Sequence, residues 1–333
     1  MRLGVVDQSP IREGGSAAQA MRETVLLAQH VEALGYERFW LAEHHGTDGL
    51  ASSAPEILIG QVGAHTSSIR IGSGGVMLSH YASLKVAEQF KTLEALFPGR
   101  IDLGIGRAPG SNMQHARALE HGPGALGLDH YPRQVQDLVY YLTDALPEGH
   151  QFAGVKATPT VDGVPEVWCL GSSLDSAMIA AEVGLPFSFA QFISPELGTR
   201  AVGLYRQRFT PSQWCAEPRV SVGVSALCAP SEEEAVRLSW SRYCWRFRKG
   251  GVPSPEVALA FEYSEAERAY IDYVRPRAAI GDPKQVASRL NELAEEFEAD
   301  ELLLLTITYD FADRLRSYDL IAQEFGMSRP VPA

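Results

Sequence analysis

The residues best placed to do chemistry are Glu43, His44 and His45. They end the apolar run Phe39-Trp40-Leu41-Ala42 and precede the turn-like Gly46-Thr47-Asp48-Gly49. A buried strand that stops in a carboxylate and two imidazoles delivers titratable groups to the C-terminal edge of a parallel sheet. Successive strand side chains point to opposite faces, so only one of the two imidazoles can meet a ligand there. His44 is the candidate, and an ordinary pKa near 6.5 would let it carry protons at neutral pH.

Three further stretches carry possible binding chemistry. In Ile71-Gly72-Ser73-Gly74-Gly75-Val76, three glycines in four positions weaken a strand unless the backbone needs unusual dihedrals or something approaches it closely. A flat aromatic ligand lying on that backbone is one such reason, and a simple bulge is the other. In Gly104-Ile105-Gly106-Arg107, an arginine leaves a strand among small residues, and its planar fork suits a phosphate. A surface salt bridge explains the same arginine more plainly. The loop Gly171-Ser172-Ser173-Leu174-Asp175-Ser176 leads into an alanine-rich helix, offering backbone N–H groups, hydroxyls and the helix dipole to an anion. An ordinary N-cap accounts for one of these serines but not for three with a glycine. On neighbouring strands, Arg107 and residues 171–176 would converge on one phosphate.

Other chemistries find less support. The histidines (His65, His80, His115, His121 and His130 besides the pair) are numerous, yet no HExxH or other metal-ligand spacing exists, and no metal is expected. There is no GxGxxG, Walker or GxSxG sequence. Cys169, Cys215, Cys228 and Cys244 form no CxxC pair, as suits reduced thiols in a cytoplasm.

The elements that must position these residues alternate regularly. Strands are expected at 3–6, 39–42, 69–72, 101–105, 167–170, 187–190, 220–226 and 302–307. Helical spacing of apolar residues marks 19–34, 55–66, 84–96 and 131–146. Eight strands alternating with helices predict an α/β fold, a TIM (β/α)8 barrel, with a doubly wound open sheet as the alternative. The whole of 1–333 reads as one domain. Two segments exceed a minimal barrel, 108–129 after the fourth strand and 249–277 between the seventh and eighth. Both follow strand C-termini, so both are expected over the mouth, with 249–277 a candidate lid.

Composition narrows the partners. The 333 residues are 45% hydrophobic, enough for a full core, and the net charge of −12 argues against nucleic acid or an anionic membrane. Residues 1–7 enter a strand with no secretory leader expected, and no apolar run is long enough to span a bilayer.

Read together, these stretches resemble the bacterial-luciferase-like flavin monooxygenases. The likeness is carried by 40–45, 71–78, 99–107, by Gly171-Ser172-Ser173 with 180–186, and by 279–283 and 316–318, in order along nearly the whole chain. The resemblance implies a TIM barrel with an enlarged connection between strands seven and eight. It implies reduced FMN as co-substrate, or a deazaflavin in some branches. The phosphate would lie on Arg107 and the Gly171, Ser172 and Ser173 loop, with Ser176 nearby. The ring would lie against Gly74-Gly75, and His44 would be the catalytic imidazole. It further implies O2, a small organic substrate such as an aldehyde, oxygenated through a flavin 4a-peroxide, a separate flavin reductase, and a homodimer. The apolar face of 55–63 is a candidate dimer surface, although core packing explains it as well. One departure stands out. Gly106 occupies the place of luciferase's reactive cysteine, so the pocket above the ring should differ. A deazaflavin hydride-transfer enzyme and a non-catalytic flavin-binding partner protein remain the alternatives.

Overall fold

The computed structural model describes residues 1–107, 113–119 and 128–327. Nine strands are all parallel: β1 (Arg2–Asp7), β2 (Arg38–Leu41), β3 (Arg70–Met77), β4 (Ile101–Gly106), β5 (Glu166–Gly171), β6 (Phe187–Ala190), β7 (Val220–Cys228), β8 (Ala279–Gly281) and β9 (Glu301–Leu305). Eight of them close a barrel, running from β1 to β7 in order and then through β9 back to β1. The closed barrel matches the sequence expectation, with 302–307 supplying β9. The ninth strand, β8, was not foreseen. It has three residues, too few to show a period of two, and pairs only with the outer end of β7.

Among the described residues, twelve α-helices accompany the strands: α1 (Ala17–Ala33), α2 (Pro55–His65), α3 (Ser83–Leu96), α4 (Met113–Leu119), α5 (Tyr131–Thr143), α6 (Leu174–Val183), α7 (Gly198–Arg208), α8 (Glu232–Phe247), α9 (Pro255–Ala260), α10 (Glu265–Val274), α11 (Pro283–Glu296) and α12 (Phe311–Glu324). In α5, Val135, Leu138, Val139 and Leu142 recur on one face and are buried against the barrel. In α2, Leu58, Ile59 and Val62 likewise face inward, whereas Ile57 is 70% exposed. Core packing therefore accounts for most of the apolar content of 55–63. Among the described residues, no helix is long and apolar enough to cross a membrane.

The N-terminal end of the barrel is closed by charge. Arg38, at the start of β2, reaches Asp102 at 2.7 Å and Glu301 at 2.8 Å, with all three side chains essentially inaccessible. Arg70 donates to Asp102, and Arg219 pairs with Glu166. The indole N–H of Trp40 donates to Asp102 at 2.9 Å, and the Arg38 guanidinium lies over Trp40 and Trp168. Three arginines thus meet three carboxylates beneath a floor of two indoles.

At the opposite end, 249–277 forms α9 and α10. Tyr243 and Cys244 of α8 pack with Ala258, Tyr263 and Ile271 in a separate apolar cluster. Backbone hydrogen bonds between Ile11 and Val252, and from Glu13 N–H to the Val252 carbonyl, tie this insertion to the β1–α1 loop. The other expected insertion, 108–129, falls largely on residues outside those described.

Candidate active site

β2 ends at Leu41, so Glu43, His44 and His45 lie just past the strand, and the two imidazoles meet different surroundings there. Glu43 is 1% exposed and points inward, where one carboxylate oxygen takes hydrogen bonds from the Tyr81 hydroxyl and the His45 ring, both at 2.7 Å. Its other oxygen accepts the Met77 N–H at 2.9 Å. Glu43 and His45 therefore form a bracket that joins β2 to the end of β3. His44, between them, faces a cavity of about 790 Å³ at the barrel mouth. Its Nδ1 is buried and has no hydrogen-bond partner among the described residues. Burial, with a smaller repulsion from His45, pushes its pKa down to about 4. At neutral pH this imidazole is thus uncharged, rather than about one-quarter protonated as the ordinary value of 6.5 would make it.

The cavity is formed by one arc of the mouth. Gln8 follows β1, His44 follows β2, Gln191 and Phe192 follow β6, Ser225 lies in β7, and Leu305 ends β9. Its roof is α8 and the insertion, which contribute Arg242, Tyr243, Trp245, Tyr270 and Arg277. The Trp245 indole is fixed by donating to the Gly250 carbonyl at 2.9 Å.

The other arc, β3 to β5, holds the remaining expected residues, none of which lines that cavity. The Gly74–Gly75 peptide is cis, and the β3–β4 register shifts between Ser73 and Val76, so the glycines form a bulge. A Cβ on Gly75 would lie 2.8 Å from the Gly104 carbonyl oxygen, and one on Gly74 would lie 2.9 Å from the Trp40 Cβ. The barrel wall itself therefore requires glycine at both positions. Arg107 leaves β4 with its side chain 34% exposed and one guanidinium nitrogen 3.4 Å from the Asp175 carboxylate. This places the fork at the first turn of α6, the convergence expected of Arg107 and the Gly171–Ser176 loop.

The serines of that loop are partly spoken for. Ser173 caps α6 by accepting the Ser176 N–H at 3.3 Å, and the Ser176 hydroxyl donates to the Ser173 carbonyl at 2.7 Å. A capping box thus explains two of the three serines. A Cβ on Gly171 would strike the Ser176 Oγ at 2.0 Å, so glycine there makes room for the cap. Ser172 and the first-turn N–H groups of α6 remain the elements of the loop that suit an anion beside Arg107. The residues present at this seat, a guanidinium beside the first turn of a helix, fit a flavin phosphate.

Sequence reasoning passed over several residues of the mouth. Tyr81 gave no signal, because its contact with Glu43 spans 38 positions. Arg242 and Arg246 did carry one, since their spacing of four puts both on a single face of α8. Of the other histidines, His80 is buried with its ring centroid 6.3 Å from that of His45. His115 of α4 packs where a Cβ on Gly46 would fall, and His121 lies outside the described residues. No group of three or more His, Cys, Asp or Glu side chains suited to a metal occurs among the described residues.

Comparison with known proteins gives a consistent result. A luciferase-like monooxygenase of Escherichia coli is 38% identical over 324 residues, covering 96% of this chain and 95% of the relative. The N-acetyl-S-alkylcysteine monooxygenase of Bacillus subtilis is 36% identical, covering 97% of each. The crystal structure of apo-MsnO8 superposes with a TM-score of 0.91 at 37% identity, over 99% of both chains. More distant structures share the fold alone. They include the oxygenating constituent of 3,6-diketocamphane monooxygenase with FMN, at 20% identity, and an F420-dependent secondary alcohol dehydrogenase, at 14%. The family profile for luciferase-like monooxygenases matches residues 1–301, and the chain belongs to that family.

Proposed function

We propose that the protein is a monooxygenase that uses reduced FMN and O2 to oxygenate a small organic substrate. The observation that carries this reading is the division of the mouth. The Arg107 guanidinium beside the first turn of α6 lies on one arc, and an imidazole whose Nδ1 has no partner among the described residues opens on a cavity of about 790 Å³ on the other. Bound reduced FMN would supply two electrons, so that one oxygen atom enters the substrate and the other leaves as water. The chain's own residues supply the rest. Arg107, Ser172 and the first turn of α6 hold the phosphate. The uncharged His44 accepts or relays a proton at Nδ1. The roof of α8, α9 and α10 keeps water from the cavity.

The family membership and the names of its relatives support an aldehyde or a thioether as the oxygenated group. FMN is favoured over a deazaflavin by the 38% and 36% identical monooxygenases, since the F420-dependent neighbours share only the fold. The reading includes a separate reductase that delivers the reduced FMN, and a homodimer in the cytoplasm.

The test is turnover under ¹⁸O2 with reductase-supplied reduced FMN and a panel of medium-chain aldehydes and alkyl thioethers. One ¹⁸O atom per product molecule is expected. Consumption of reduced flavin with no labelled product across the panel, together with tighter binding of a deazaflavin than of FMN, would replace oxygenation by hydride transfer.

A further inference from the structure

The chain is acidic, with 41 carboxylate residues against 29 Lys and Arg, yet the large cavity has the opposite sign. Arg242, Arg246, Arg248, Lys249 and Arg277 line it, against the single carboxylate of Asp48. Most of these cations are engaged. Arg248 pairs with Glu13 at 3.3 Å, Arg246 lies over the Tyr270 ring, and Arg277 lies over Tyr273 while donating to its carbonyl. The basic end of α8 also complements the helix dipole, which accounts for Arg246 in the last turn.

Arg242 has no such explanation. It sits a full turn earlier in α8, between the buried Ser241 and Tyr243. It makes no ion pair or hydrogen bond to any described residue. Burial and the neighbouring Arg246 pull its pKa below the ordinary guanidinium value, against the opposite pull of Tyr243 and Tyr270. The side chain is half-buried on the cavity wall, and no carboxylate among the described residues pairs with it. An anion entering the cavity can supply that partner, and the planar fork suits a carboxylate held by two parallel hydrogen bonds. The rest of the lining mixes the polar Gln8, Thr47, Gln191 and Ser225 with an apolar side made by Phe192, Ile193, Trp245, Leu305 and Ile307.

We infer that the substrate is a carboxylate with an apolar tail, its anionic end held by Arg242 and its tail against Phe192, Trp245 and Ile307. This deepens the monooxygenase reading and rests on it for the word substrate, but the binding itself does not require turnover. The anion on Arg242 is then distinct from the flavin phosphate at Arg107.

Calorimetric titration of the FMN-loaded protein with 4-phenylbutyrate and with its uncharged amide tests the inference. The carboxylate should bind at least 10-fold more tightly than the amide. Arg242→Met should abolish that preference, Arg242→Lys should keep part of it, and neither should change the affinity for FMN. Equal affinity for the two probes in the wild-type protein, or binding of neither, would overturn the inference without recourse to a variant. Loss of FMN affinity in Arg242→Met would overturn it too, by assigning the arginine to the flavin. Carboxylate preference in a protein that incorporates no ¹⁸O would leave the anion site standing and remove the monooxygenase reading. Oxygenation with no preference between matched acids and amides would do the reverse.

Discussion

The two ends of the barrel treat charge in opposite ways. At the N-terminal end, Arg38, Asp102 and Glu301 are excluded from water and bonded to one another, with Arg70, Glu166 and Arg219 completing the set. At the C-terminal end, the buried Nδ1 of His44 has no partner among the described residues, and the half-buried Arg242 lines the cavity with no ion pair to any of them. The first arrangement recovers its desolvation cost inside the folded chain, and the second leaves its polar groups facing a cavity. The difference teaches which charges hold the barrel together and which await a ligand. Position at a strand end does not decide the matter alone. Asp7 ends β1 at the mouth, yet it accepts from Arg314 at 2.6 Å, from Thr24 at 2.6 Å and from the Ser9 N–H. Asp7 is a brace, although its place in the sequence resembles that of His44.

The sharpest way to break this comparison is to remove one charge from each end. Arg38→Met strands two buried carboxylates and should lower unfolding stability by about 3–5 kcal/mol in urea denaturation. Arg242→Met strands nothing and should change stability by less than about 1 kcal/mol, in either direction. Equal losses at the two ends would erase the distinction. A smaller effect is expected at the phosphate seat. Arg107→Ala removes a charge-assisted hydrogen bond of about 1.5–3 kcal/mol, and should weaken FMN binding roughly 10- to 100-fold. Riboflavin, lacking the phosphate, should bind the variant and the wild-type protein alike in a fluorescence titration.

A further effect concerns pH. The unfolded chain protonates the His44 imidazole near pH 6.5, whereas the folded chain does so only near about 4. Between these values the unfolded state binds more protons, so His44 makes stability rise with pH across that window. Above pH 6.5 the contribution is flat. In melting-temperature scans, His44→Gln should flatten the slope between pH 4 and 6.5 relative to the wild-type protein. An unchanged slope would show that His44 is not the group responsible.

Much of this was legible before the fold was seen, and the limits have physical causes. Eight apolar runs separated by helical periods gave the barrel, because each strand buried on both faces reads as a continuous apolar segment. Strand geometry predicts opposite directions for His44 and His45, and the two do meet different surroundings, although β2 ends at Leu41 before the pair. The N-terminal network was not legible, since Arg38, Asp102 and Glu301 stand 64 and 263 positions from one another's strands. The glycines at 74 and 75 were open to two readings, and neighbouring backbone and Trp40 supply a sufficient reason for both. The depressed pKa of His44 depends on its burial in the assembled mouth, which no local pattern encodes. Arg242 was visible only as one basic residue among several, and its lack of a partner is a property of the assembled mouth.

The measurement that bears most directly on the central claim is the rate at which bound reduced FMN reoxidises. The protein is loaded with reduced FMN without oxygen, then mixed rapidly with oxygenated buffer while the flavin absorbance is followed. A mouth built to hold reduced flavin under a water-excluding roof predicts a return to oxidised FMN at least 10-fold slower than without protein. His44→Ala, still able to bind FMN, should lose most of that delay. Reoxidation by the wild-type protein as fast as that of free reduced FMN, with the flavin shown to be bound, would contradict the account.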